Sequence, residues 1–300
     1  MTWLPRSIRR LDGPLGAEIL GADLSGPLRA PVALSLQAAL AEHCLVVLRD
    51  QILAPAAQLA LAESLGPVVP HVVDQFRHAE QPGLLVVSNA VNDNAPGGLG
   101  DTARFWHADM SYLPLPGSTS VLQVIECAED GDEMLFADQI AAYALLDDAT
   151  RRQVQRLRAE HDFAWRADLR TAAGLRPDLA PHQRDAVPPV LHPVVRFHPA
   201  SGRPALFVSH GYTRRIHGVE EAESERLLGV LLAATTDPSV TLRHRLRRGD
   251  VLIWDNAAVQ NQLAFGGDPS ALRTFWRATT RGALPCDLGS TLGPAWIAAG

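Results

Sequence analysis

Short apolar runs rich in Val, Leu and Ile recur along the whole chain, each closed within a few residues by Gly, Pro, Asn or Asp, with no regular alternation between strand and helix. CLVVLRD (44–50), GLLVVSNA (83–90), STSVLQVIECA (118–128), MLFAD (134–138), PVVRFHP (193–199), ALFVSH (205–210), VTLRHRLRRGD (240–250), VLIWDNAAVQN (251–261) and LRTFWRATTRG (272–282) all read as strands. GAEILGADLS (16–25) adds an early strand or strand pair, and ASGRP reads as a hairpin turn between two of the runs. Helical spacing is found in PVALSLQAALAEH (31–43), PAAQLALAESLG (55–66) with Gly66 as its stop, AAYALL (141–146), ATRRQVQRLRAEHDF (149–163) and EEAESERLLGVLLAATT (220–236). Many strands with scattered helices predict a mixed α+β chain with a mainly β core, sandwich or barrel, and helices packed outside it. Residues 164–189, rich in Arg, Asp and Pro, show no period and read as a lid or excursion.

Composition narrows the partners. With 300 residues, 47% hydrophobic and 20% charged, the chain has enough apolar surface for one large domain spanning 1–300. A net charge of -6 argues against nucleic acid, which needs a basic face. There is no lysine, so Schiff-base chemistry through a lysine amine is excluded and every fixed cationic clamp is a guanidinium. Cys44, Cys127 and Cys286 are odd in number and far apart, which supports neither a disulfide framework nor a Cys-x-x-Cys site and fits a reducing cytoplasm. MTWLPRSIRR has no signal-peptide core and no later run reaches the length of a membrane span. The expectation is a soluble protein with a small-molecule substrate and no membrane partner, free to form a homo-oligomer.

Chemistry concentrates in RFWHADMSY (104–112), where His107 and Asp109 stand two apart. On an extended strand the two side chains share a face, so an imidazole and a carboxylate can grip one metal ion. The loop NDNAPGGLGD (92–101) leads directly into this stretch. A His-x-Asp alone is common, so its weight depends on what surrounds it.

RFWHADMSY is followed by GDEMLFAD (131–138), HPVVRFHPASGRPALFV (192–208), RRGDVLIWDN (247–256) and RTFWRATTRG (273–282), and preceded by GAEILGADLSGPL and LGPVVPH (65–71). This series, in this order over nearly the whole chain, resembles the TauD/TfdA family of Fe(II)- and 2-oxoglutarate-dependent dioxygenases. The resemblance implies a double-stranded β-helix, or jelly-roll, core and an oxidoreductase that hydroxylates or desaturates a small, anionic substrate. It implies further that His107 and Asp109 ligate Fe(II), that Arg273 binds the distal carboxylate of 2-oxoglutarate, and that Arg277 meets an anionic substrate group. His71 and Tyr212 fall where the family contacts substrate. Positions 273 and 277 face the same way on a strand, which would bring both guanidinium groups to one cavity. Trp106 and Trp254 read as core aromatics that set strand register.

The sequence departs from that pattern at the metal and at the cosubstrate. The family's W-D-N-x-x-x-x-H becomes Trp254, Asp255, Asn256, Ala257, Ala258, Val259, Gln260 and Asn261, so a neutral amide stands in place of the second imidazole, and Ala257 replaces the usual arginine. Where the family reads G-G-D-T-L-F-A-D, Met134 replaces the threonine that helps hold the cosubstrate, and a thioether cannot donate that hydrogen bond. His210, on the strand read at 205–210, is the one candidate for a replacement ligand. Two further readings follow: a repurposed, iron-independent enzyme using His107 and Asp109 as an acid-base pair, or a ligand-binding pseudoenzyme.

Overall fold

A computed structural model describes residues 7–24, 26, 30–92, 95–96, 98–99, 104–128, 132–175, 178–266, 268 and 270–286. Its largest sheet has seven strands in the order Ser7–Arg10, Ala17–Leu20, Leu45–Leu48, Val251–Asp255, Gly117–Glu126, Thr274–Arg281 and Leu85–Ser88. All neighbours are antiparallel except Ala17–Leu20 against Leu45–Leu48. Period-two alternation gives this sheet two buried faces. On one face Leu45, Val47, Leu122, Val124, Leu252, Trp254 and Phe275 pack against Met134, Phe136, Leu242 and Leu263 of a three-stranded sheet ordered Thr241–Arg245, Glu133–Asp138, Val259–Ala264. On the other, Val46, Leu48, Val121, Ile253 and Ala278 pack against Leu36 and Leu40 of helix Ala30–His43 and Leu61 of helix Pro55–Leu65. Buried Gln58 pins the second helix to the sheet by donating to the Trp276 carbonyl at 2.7 Å. The mixed α+β architecture with a sheet-rich core and outer helices is therefore as the strand pattern predicts.

Several local expectations need correction. The run 149–163 is not one helix: Asp148–Val154 is helical, and after a turn Arg158–His161 is a strand paired with Val190–Pro193 and Thr213–His217. The aperiodic 164–189 stretch carries helix Phe163–Ala172, capped by the Asp162 carboxylate accepting from Trp165 N, and helix Pro181–Asp185. VLIWDNAAVQN is two strands joined by a turn at Asn256–Ala258. The strand at 204–206 ends before His210, which lies in an exposed turn. Half of the 92–101 stretch lies outside the described residues, and within it Ala95–Pro96 pairs with Val91–Asn92. The Val195–Phe197/Pro204–Leu206 hairpin forms as expected, and the three cysteines are free. Among the described residues no helix is long and apolar enough to cross a membrane.

One close approach joins the large sheet to the site. Gly117 donates its N–H to the Asp109 carbonyl at 3.2 Å, and a Cβ there would lie 2.7 Å from that oxygen and 2.8 Å from Thr279 Cγ2. Gly117→Ala is expected to destabilise the fold by about 1–3 kcal/mol through overpacking, measured by urea denaturation.

Candidate active site

Backbone pairing places the first two site residues. His107 N donates to the Asn261 carbonyl at 3.1 Å and Asn261 N to the His107 carbonyl at 2.8 Å. Residues that exchange both bonds in an antiparallel pair project their side chains to one face. The chain then leaves the extended form: Asp109 and Met110 lie in a turn, with Met110 at φ 55°. The expected strand over 107–109 is thus a single bridge followed by a turn. Asn256 holds that turn, its Oδ1 accepting from Asp109 N at 3.0 Å and from Trp254 Nε1 at 3.1 Å, while Nδ2 donates to Ser120 Oγ at 2.9 Å. Trp254, fully buried as predicted, therefore also orients a polar anchor.

Asp109 is the electrostatic centre. It is 1% exposed, yet Oδ1 accepts from Arg277 Nη1 at 2.5 Å and Oδ2 from Ser120 Oγ at 2.6 Å. Burial pushes its carboxyl up, but the Arg277 charge, His107 and the Ser120 hydrogen bond outweigh burial and hold it well below the usual carboxylate range. His107 Nε2 lies 3.3 Å from the same Oδ1, and Nδ1 lies 2.8 Å from the Phe105 carbonyl. With Nδ1–H donating to that carbonyl, Nε2 and Oδ1 face each other as two acceptors, a pairing that calls for a proton or a cation between them.

Asn261 completes the face. Its side chain is fully buried, Nδ2 reaches the His107 carbonyl at 3.3 Å, and Oδ1 has no hydrogen-bond partner. Arg277 is similar: Nη1 is bound to Asp109, while Nε–H is buried and unpartnered. Beside them stand the rings of Phe105, Tyr212, Tyr112 and Phe163. Tyr212 lies 5.9 Å from the His107 ring and 4.9 Å from Tyr112, whose hydroxyl is 3.3 Å from His71 Nε2. Gly211 admits this packing, since a Cβ there would lie 2.5 Å from the Phe105 ring. The structure thus brings together His107, Asp109, Asn261, Arg277, Tyr212 and, through Tyr112, His71.

It does not bring Arg273 to the same carboxylate. The two do share a face, since 273, 275 and 277 are buried in alternation with 274 and 276, and the irregularity of pairing lies in the neighbouring strand, where Ile125 is the extra residue. Arg273 instead meets Asp132, Nε lying 2.9 Å from each carboxylate oxygen. Met134 is buried among apolar neighbours, paired with Leu263 and His244. His210 is exposed and is no replacement ligand, and Trp106 is half-buried. Ser120, Asp132 and the role of Asn256 escape a reading by motif. Only the WDN and GDEM stretches carried any signal for the last two.

An imidazole, a carboxylate and a guanidinium converging beneath a buried sheet define an enzyme on a β core, with the polar groups of a mononuclear oxidoreductase. Comparison makes this specific. The family model for "Taurine catabolism dioxygenase TauD, TfdA family" matches residues 7–279. An alpha-ketoglutarate-dependent sulfate ester dioxygenase of Pseudomonas putida is 32% identical, over 96% of this chain and 94% of its own. An alpha-ketoglutarate-dependent 2,4-dichlorophenoxyacetate dioxygenase of Cupriavidus pinatubonensis is 31% identical, over 86% and 91%. Among solved structures, AAD-2 in complex with Mn(II) and N-oxalylglycine superposes with a TM-score of 0.81 at 28% identity, covering 93% of this chain and 98% of that one. The chain belongs to the TauD/TfdA family and is a dioxygenase-like oxidoreductase; Fe(II) and 2-oxoglutarate are the cofactor and cosubstrate of that class.

The residues fit these two groups unequally. For a divalent cation, His107 Nε2 and Asp109 Oδ1 stand 3.3 Å apart and Asn261 Oδ1 is buried without a partner, and these three would make a weaker donor set than two imidazoles and a carboxylate. Among the described residues no group of three His, Cys, Asp or Glu side chains gathers for a metal. For 2-oxoglutarate, Arg273 has four of its five N–H donors engaged within the chain and Met134 has no hydroxyl, so the cosubstrate fits poorly at that arginine.

Behind the site His161 and His192 meet edge to face with ring centroids 5.3 Å apart, and His161 borders a cavity of about 10 Å³ with Ser111, Arg196 and Gln260. Burial lowers His161 to about 3, with a further push from His192, and burial with the Arg196 charge lowers His192 to about 4. Both folded values lie below the unfolded value near 6.5, so the unfolded chain takes up more protons as pH falls. The stability they lend is full above about pH 6.5 and is lost toward pH 4 with a slope of about two protons. Thermal midpoints across this range check it, and His192→Gln should remove about one proton from the slope.

Proposed function

We propose that this chain acts on one small anionic organic molecule, a carboxylate or organic sulfate, held by Arg277 beside His107 and Asp109, as a dioxygenase-type oxidoreductase with a substituted metal site. The observation that carries the reading is the buried, unpartnered Nε–H of Arg277, next to a carboxylate already satisfied through Nη1. A guanidinium whose one edge neutralises Asp109 keeps a second edge for an incoming anion. The names of the relatives support the class, since sulfate esters and 2,4-dichlorophenoxyacetate are small and carry or yield anionic groups. His107, Asp109 and Asn261 Oδ1 would hold the metal, which in this class activates oxygen for oxidation of a C–H bond. Arg277 orients the anion, Ser120 and Asn256 fix the carboxylate, and the Phe105, Tyr212 and Tyr112 rings exclude water from its apolar part.

A second reading rests on a specific contact. Arg277 Nη1 binds the Asp109 oxygen that faces His107, the place a metal would take, and with a guanidinium there His107 and Asp109 make an acid-base pair without metal.

Two measurements separate these. Titration of phenoxyacetate or an alkyl sulfate should show affinity at least about tenfold weaker in Arg277→Leu, a loss of ~1.4 kcal/mol. Arg277→Lys serves as a control because it keeps a charge on Asp109; equal binding in the wild type and Arg277→Leu would sink the anion reading. Anaerobic Co(II) titration should show weak binding to the wild type and at least about tenfold tighter binding to Asn261→His. A wild type that binds no Co(II) but still takes up the anion in EDTA selects the metal-free reading.

A further inference from the structure

Arg273 is 3% exposed, and each of its nitrogens is used inside the chain. Nε meets both oxygens of Asp132 at 2.9 Å, Nη1 donates to the Ala271 carbonyl at 3.0 Å, and Nη2 donates to the carbonyls of Gly266 at 2.8 Å and Asp268 at 3.1 Å. Asp132 is engaged to the same degree: it is 1% exposed, Oδ2 accepts from Ala128 N at 2.8 Å, and its carbonyl accepts from Leu246 N at 3.0 Å. Four of the five N–H donors of Arg273 are thus engaged, and the edge formed by Nε and Nη2 is filled by Asp132 and two carbonyls.

Position by position, G-D-E-M-L-F-A-D against G-G-D-T-L-F-A-D sets Asp132 at the second glycine and Met134 at the threonine. The stretch beside Arg273 thus gains a carboxylate where the pattern has no side chain, and loses the hydroxyl that would assist an external carboxylate. The two replacements act in one direction: the anion is supplied by the chain, and a donor to any other anion is removed.

We propose that Asp132 is a built-in occupant of the carboxylate seat at Arg273, so that this chain does not hold 2-oxoglutarate there and takes a single organic anion, at Arg277, and that anion must then itself supply all four electrons for the reduction of O2. The first half stands on the Arg273–Asp132 geometry alone; the second rests on the anion reading given under Proposed function. An entering dianion would meet a guanidinium already neutralised, and would face the charge of Asp132 in a medium that screens poorly.

Calorimetric titration of 2-oxoglutarate into the full chain, with Mn(II) and separately with EDTA, tests it. The wild type should show no binding tighter than about 1 mM. Asp132→Gly combined with Met134→Thr should bind at least about tenfold more tightly, and Arg273→Gln in that background should abolish the gain. Should the double variant fail to fold, Asp132→Asn gives a second reading: its thermal midpoint should fall, and 2-oxoglutarate should raise it while leaving the wild-type midpoint unmoved. Micromolar binding by the wild type that is lost in Arg273→Gln would overturn the proposal. So would folded variants that gain no affinity, because Asp132 would then not be what closes the seat. Phenoxyacetate binding should be insensitive to the Asp132 changes, so failure here and failure at Arg277 are told apart.

Discussion

The burial of an ionised carboxylate at Asp109 is the constraint on which the site depends. Taking such a charge out of water costs several kcal/mol, and an isolated carboxylate there would take up a proton instead. Three partners prevent this, and each is fixed by a different part of the fold. Ser120 comes from the central strand Gly117–Glu126, Arg277 from its neighbour Thr274–Arg281, and His107 from a segment bridged to Asn261. Asn256 ties the Asp109 turn to Ser120 and Trp254. The geometry of the acid is therefore a property of the large sheet, and the segment that carries it contributes only the side chain.

The same logic applied twice gives both of these strand arginines a carboxylate without any ligand. Arg277 answers Asp109 and Arg273 answers Asp132, two buried pairs 2.5 and 2.9 Å apart. A buried guanidinium that waits for a ligand must be stabilised by water or by strain while it waits, whereas one paired within the chain is stable at all times. Arg273 has been given a permanent partner. Arg277 has been given half of one, because its Nε remains unsatisfied. Of the two cationic positions only the latter is arranged to respond to something from outside.

How far the sequence revealed this depends on the range of the interaction. Strand runs, the Val195–Phe197 hairpin and the long helices were legible because they follow from local alternation and capping. His107, Asp109, Asn261 and Arg277 are singled out by motif order, and the fold brings them together. The 149–163 stretch misled because helix Asp148–Val154 and strand Arg158–His161 share an uninterrupted run of Arg, Glu and Leu with no Gly or Pro between them. Arg273 and Arg277 share a strand face as alternation predicts, but what each meets there, Asp132 and Asp109, comes from segments far off in sequence and leaves no mark in a run of residues that all favour strand. The Asp132–Arg273 pair spans 141 residues and is a fact of sheet packing, beyond any local rule.

Asn261 sets the terms for what remains open to chemistry. A position that had merely lost a metal ligand could be filled by an apolar side chain at no electrostatic cost, as the cosubstrate side has been filled by Met134. Instead a fully buried amide stands there with its oxygen unpaired, a cost of about 1–3 kcal/mol unless a donor or a cation meets it. The neighbouring His107 Nε2 and Asp109 Oδ1 face one another as acceptors and make the same demand. An unpaired amide oxygen, an imidazole nitrogen facing a carboxylate oxygen and an unsatisfied guanidinium N–H are thus costs carried around His107, whereas Arg273 is held in an ion pair. That asymmetry fits the proposal of a single polar ligand held at Arg277 rather than at Arg273.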